Sequence, residues 1–570
     1  MNKNIVTGLV FLLCIGCSDV MDKRDLNSIT DNEVWGNVKY ATAYLDKLHR
    51  DNVPGWSGNA ANCDESGPVS DSNEELFGTK TSNNSRKWSD SYAQIRKINV
   101  FLEDVETAAF DAATRDVLKA QALVIRAWVY FDLVRDFGGV PMVMQSQNVS
   151  DDLFVERTKT SECFQLIVQD LDAAIAVADF PYQWTGADLG RISKAAALAL
   201  KGRVLLYWAS PYLNPNNQQD RWQAAYNANK EAVTLLKANG YDLYETFKDI
   251  FFVEMNKEAV FVKRYEYPHL AHSWDASSRP KETGIALNVP AGNRATWELA
   301  SAFPMIDGKP ADTTNPAYND VLYWKNRDPR FAATIVWNSS KWGLYGNAGR
   351  IQWTYSGNDM EETPSTTHMY CRKAVHEEYT ADQAHSDRNS GDWIEIRYAE
   401  VMMNFAECAA ALNNSDEAYG ILKQIRQRAG IQAGSDGLYG LKAGMAQTEL
   451  TAAILLERKI EFAFEGKRYW DLRRHKLFTT ELNGTRRHGR FAKLKDGINP
   501  DDFKEIRDGI NFDTDYGTYF EDEIDIADTQ YTIDFKDNYY FSPIHNDDLI
   551  TNSKLKQTQG WDGGTFNPLE

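Results

Sequence analysis

Three features of the chain predict a mostly α protein, one compact body in which stacked helical hairpins share the molecule with a large irregular, loop-rich subdomain carrying short strands. A helical period of apolar residues dominates three stretches, 32–50, 88–240 and 393–478. The period is lost over 51–87, 241–392 and 479–538, where Gly, Asn, Ser, Asp and Pro punctuate the chain. A two-helix unit also leaves one apolar face uncovered, so such units need neighbours to stack on.

In chain order, residues 1–16 read as an export signal: Lys3 supplies a positive end, Ile5 to Ile15 an apolar run too short to span a bilayer, and Gly16 precedes Cys17. Gly followed by Cys at the end of such a run resembles a bacterial lipobox, in which the Cys is acylated, although Cys14 stands where Leu is usual. Lipid on Cys17 would hold the protein on a membrane surface without a transmembrane helix, with residues 17–31 as a polar tether. Asn32 to Arg50 predicts a helix with Val34, Val38, Ala41, Tyr44, Leu45 and Leu48 inward. The aperiodic 51–87 is a long loop, of a length that usually carries function or disorder.

Trp88–Val105 and Thr114–Phe137 are helical, the second stopped by Gly138 and Gly139 and kept from resuming by Pro141. Helices follow at Cys163–Ala178, Ile192–Tyr212 and Arg221–Asn239, and β-like runs at Ala259–Val262 and Ala332–Trp337. The longest helical run begins at Trp393. Tyr398, Met402, Phe405, Ala409 and Leu412 share one face; after a turn at Asn413–Ser415, so do Ala418, Ile421, Leu422, Ile425 and Ala429, with Gly430 at a left-handed cap. A third helix starts near Thr448 as N-cap and ends at Gly466. The hairpins expected are 90–137, 162–208, 221–238 with a neighbour, and 398–429.

The net charge of −19 argues against nucleic acid, which needs a concentrated basic surface, and favours a neutral or cationic ligand. Cys63, Cys163, Cys371 and Cys408 are irregularly spaced, either as buried thiols or as a pair joined outside the cytoplasm. No nucleotide, zinc-protease or serine-hydrolase motif is present, and no metal or cofactor is expected. Asn511, Asp513 and Asp515 imitate the start of a calcium loop with Asp522 at its twelfth place, but Tyr516 occupies the position that requires Gly. The charged run Glu457, Arg458, Glu461, Glu465, Arg468, Asp471, Arg473 and Arg474 recurs at helical spacings and reads as ion pairs, not as a catalytic carboxylate pair.

The phrases RYAEVMMNFAECAAAL, AYGILKQIRQRAGI and ILLERKIEFAFEGKRYWDLRRHKLF resemble, in fixed order, the tetratricopeptide-like core of the SusD/RagB family of glycan-binding outer-membrane lipoproteins of Bacteroidetes. ALVIRAWVYFDLVRDFGGVPMV, ELASAFPMIDGKP, NRDPRF and YYFSPIHNDDLITNSKLKQTQGW extend the resemblance over nearly the whole mature chain, most weakly over 51–87, 265–289, 339–390 and 480–535. The resemblance implies a surface-exposed outer-membrane lipoprotein that captures oligosaccharide or polysaccharide and passes it, without cleavage, to a SusC-type TonB-dependent barrel. Alternatives are a surface glycoside hydrolase and a RagB-like peptide-binding lid.

Sugar faces stack on flat rings, and their hydroxyl edges need acids, amides or guanidinium groups. Six of the 16 tryptophans fall between 274 and 353, in the irregular part. Trp297, Trp324 and Trp337 lie in or beside the family phrases and read as structural. Trp274, Trp342 and Trp353, with Tyr345, are the candidates for an exposed platform. The resemblance adds the loop after the first helix, hence Trp56, Asp64, Glu65 and Trp88, and Arg372 is a further donor. If these rings form a platform, Ala at Trp88 or Trp342 abolishes glycan retention while sparing the melting temperature.

Overall fold

The computed structural model describes residues 31–56, 58–67, 73–280, 293–356, 366–385 and 387–570. The export signal, the tether to residue 30 and Cys17 lie outside them. After a turn of helix at Asp31–Trp35, α1 (Val38–Asn52) begins where the Asn37 side chain accepts the Lys39 N–H. Asp111 caps α3 (Ala112–Phe137) and Ser193 caps α5 (Lys194–Ala209) in the same way. Between them run α2 (Ser89–Thr107) and α4 (Thr160–Ala176), and α6 (Gln219–Ala238) follows. The second helical block holds α7 (Tyr398–Ala411), α8 (Ser415–Ala429), α9 (Gln447–Glu461) and α10 (Arg468–Arg474).

Each helix packs on the next, α2 on α3 through to α6 on α7, and α7 then meets both α8 and α9. The stack is continuous although some 160 residues separate its two blocks in sequence. Helices α3, α5 and α7 are buried on nearly every side, as their lack of a polar face requires. Gly202 lets α5 and α6 approach: a Cβ there would lie 2.3 Å from Asn229 Oδ1. Gly430 ends α8 at φ 87°, in the left-handed region.

Strand β1 (Ala259–Lys263) pairs antiparallel with β2 (Trp393–Arg397) and ties the irregular part to the stack. The helical reading from Trp393 is corrected here: WIEIR alternates β-branched residues, and the helix starts only at Tyr398. Ala332–Trp337 is also corrected, since Pro329–Thr334 is a helix capped by Asp328, leaving only Ile335–Val336 as strand. Thr448 is not the cap of α9; the helix opens one residue earlier, where Glu449 reaches back to the Ala446 N–H. The irregular 479–538 contains a ribbon, β3 (His488–Leu494) with β4 (Phe520–Ile526), paired over its whole length.

The charged run forms ion pairs, but buried ones that cross between elements. Arg397 of β2 is fully buried and meets Glu258 and Glu461 at 2.5 and 2.7 Å and Glu465 at 2.8 Å. Arg330 meets Asp328, Glu457 and Glu461 within 2.6–2.8 Å. Arg458 bonds Asp471, and Arg474 joins Asp471 to Glu407. Cys63, Cys163, Cys371 and Cys408 are buried free thiols. Asn511 caps a short helix, while Asp522 accepts from Arg490 and from the Tyr516 hydroxyl, so both serve the fold.

Candidate functional site

The irregular segments converge on an open cleft of about 640 Å³ where α8 ends. Its walls come from Glu245–Asp249 and Phe252, from the short helix after Asp328, from Arg372–Glu378, and from Arg428 and Ala429 of α8. Arg372 Nε donates to Glu377 Oε1 at 2.8 Å, which sets its planar donor edge against the cleft wall with the side chain one-quarter exposed. Phe252 sits edge-on to His376 with ring centroids 4.8 Å apart, and His376 stacks on Tyr379 at 4.1 Å, 7° from parallel. The turn bearing Tyr345 is pinned to the same wall, because Gly343 and Gly346 N–H groups donate to Glu377 Oε2 and O at 2.9 and 3.0 Å. Tyr345 is 37% exposed, adopts φ 63°, and lies over the buried Arg279 guanidinium at 5.2 Å.

Rings, carboxylates and a guanidinium thus meet in one concave surface, a chemistry suited to a ligand with flat apolar faces and polar edges. Solvent-facing charge at this cleft leans acidic, with Glu245, Glu377 and Glu378 against Arg372 and Lys248.

Of the residues expected from sequence, Arg372 lines this cleft, while Tyr345 sits on the adjoining turn with its ring against Arg279. Trp274, Trp342 and Trp353 are corrected from exposed platform to core, at 5%, 0% and 5% exposure. Trp342 packs with Val336, Leu344, Tyr370 and Val375; Trp353 packs among Phe503, Phe512 and Phe520. Trp274 stacks on the half-buried Trp56 at 4.6 Å and donates to the Lys373 carbonyl, while Trp56 donates to Gly391 O at 3.0 Å. Trp88 is buried against Phe137 at the start of α2. Asp64 and Glu65 are also corrected from ligand-facing acids to buried groups. Burial would raise the Asp64 carboxyl, but Arg468 and Lys459 hold it well below the usual range. Glu65, buried beside Asp64, is pushed up to about 8.

Phe252 and Glu377, which line the cleft, and His376 and Tyr379, stacked behind Phe252, are not among the residues expected from sequence. For His376, Glu377 and Tyr379 the available signal is the density of imidazole, acid and ring in RKAVHEEYT, a segment with neither period nor cap to draw notice.

Family and structural comparisons agree on one lineage. A model described as the SusD family matches residues 257–561, and one described as starch-binding associating with outer membrane matches 28–206. The SusD-like protein P2 of Formosa agariphila is 26% identical over 397 residues, covering 68% of this chain and 71% of the relative. A SusD-like protein of Bacteroides fragilis superposes with a TM-score of 0.75 at 24% identity, covering 95% of this chain and all of that one. A SusD-like carbohydrate binding protein of the same species superposes at 0.72 and 22% identity, covering 92% and 99%. With more than half its length matched by the family model and its helical stack shared with these structures, the chain belongs to the SusD family.

Proposed function

We propose that this protein is a non-catalytic, cell-surface glycan-binding lipoprotein whose cleft captures an oligosaccharide or polysaccharide and passes it to a SusC-type TonB-dependent barrel for import. The observation that carries the reading is the cleft itself: Phe252, backed by the His376–Tyr379 stack, beside the Arg372–Glu377 pair, on a family scaffold whose relatives include a protein described as carbohydrate binding. Ring faces supply stacking area, and the ion pair offers both a donor and acceptors to vicinal hydroxyls. Surface attachment rests on Cys17, at the end of the export signal, and on the family description, which associates it with the outer membrane. No described helix is long and apolar enough to cross a membrane.

A glycan array probed with the full chain tests the reading, alongside a peptide library and an assay for released reducing ends. Retention of a glycan without new reducing ends supports it. Retention of peptides alone favours a peptide-binding lid, and released ends favour a hydrolase.

A further inference from the structure

The outer face of α9 breaks the usual rule for a surface helix. Its inward positions are filled by Leu450, Ile454, Glu457 and Glu461, all fully buried. On the opposite stripe, Thr448, Thr451, Ala452, Leu455 and Leu456 are uncharged where an amphipathic helix normally places its polar residues, and the one cation that follows on it, Lys459, is turned onto Asp64. Leu456 is 44% exposed. This stripe floors a second cleft of about 740 Å³, walled by α6, α7 and the turn at Phe478–Leu482 and remote in sequence from the segments lining the first.

The wall residues decide what kind of ligand fits. Trp222 is the one tryptophan among the described lining residues; it is 5% exposed with its Nε1 donating to Asn217, and neither Phe nor Tyr lines the cleft. A sugar ring therefore finds no open face to stack on, whereas aliphatic side chains find Leu455, Leu456, Leu477 and Leu482. The two lining cations are already engaged, since Lys459 and Arg468 both bond Asp64 at 2.8–3.0 Å and are at most one-tenth exposed. Of the rim carboxylates, Glu481 keeps 52% of its side chain in solvent, 3.7 Å from Arg468, whereas Glu298, 28% exposed, already accepts from the His488 backbone N–H and pairs with its ring at 2.6 Å. The groove thus presents an aliphatic floor beneath an acidic rim.

We propose that this groove is a docking site for a basic amphipathic segment of another protein, whose aliphatic side chains seat on Leu455 and Leu456 while a Lys or Arg meets the exposed Glu481. Such segments are held by i, i+3, i+4 anchors laid into an apolar groove, and the flanking charges set specificity and salt dependence. The site is independent of the glycan cleft, so either can fail without the other.

Fluorescence anisotropy with a labelled helical peptide bearing Leu at i, i+4 and Lys on its flanks tests the proposal against the full chain, with the same peptide carrying Glu for Lys as control. The expected result is saturable binding of the Lys peptide only, weakened about tenfold or more by Leu456→Lys or Glu481→Lys and by added salt. Both substitutions fall at exposed positions, and unchanged melting temperatures exclude unfolding as the cause. Equal binding of both peptides, binding unaltered by the substitutions, or no binding of the Lys peptide overturns the proposal.

Discussion

At the scale of single residues, burial separates what a side chain could do from what it does. Trp342 has every reason, from its Gly- and Asn-rich surroundings, to be a sugar platform, yet it is fully enclosed. Trp342→Ala is therefore expected to cost about 3–5 kcal/mol, the range for deleting a buried large aromatic, and a thermal melt should show a large drop where a surface ring would show little. Glu65 offers a second residue-scale test. Its folded value of about 8 lies above the ordinary 4.5, so the folded state holds the proton more tightly than the unfolded chain. Stability contributed by this group is complete below about pH 4.5 and is lost as pH rises through 8. Glu65→Gln should flatten that alkaline fall in melting temperature; an unchanged slope between pH 5 and 8 would show that Glu65 does not titrate there.

At the scale of elements, the helices were legible because their apolar period, Asn, Asp and Ser caps and terminating glycines all agree, as at Ser193 for α5 and Gly430 for α8. The misreadings occur where tertiary pairing overrides local pattern: Trp393–Arg397 became a strand because β1 is there to receive it. The candidate site was barely legible, since the cleft joins residues 245–252, 329–333, 372–378 and 428–429, and no sequence spacing announces that meeting. The charged run was read correctly as ion pairs, but not its depth. Removing one acid of a buried network leaves excess positive charge, so Glu461→Ala, which takes one of the carboxylate partners from each of Arg397, Arg428 and Arg330, is expected to cost about 3–5 kcal/mol. Glu400 supplies the pH dependence. Burial raises its carboxyl, but Arg203 and Lys467 outweigh that and hold it at about 2. A depressed carboxylate contributes stability above its unfolded value of 4.5 that is lost as pH falls toward 2. Acid titration followed by circular dichroism should show cooperative loss within that window, and Glu400→Gln should shift the midpoint of the wild-type transition and flatten it.

At the scale of the whole molecule, a charge-stitched helical stack acts as a rigid back against which irregular segments hold a cleft open. Rigidity matters because a ligand bound by stacking and hydroxyl contacts gains most from groups already in place. The sharpest test is retention on glycan affinity gels of the full chain against Phe252→Ala and Arg372→Ala, two residues that line the cleft, using a glycan the wild type binds, with melting temperatures measured in parallel. The expected result is at least about tenfold weaker retention for each variant with melting temperature nearly unchanged. Undiminished retention in both variants would contradict the assignment of this cleft as the capture site.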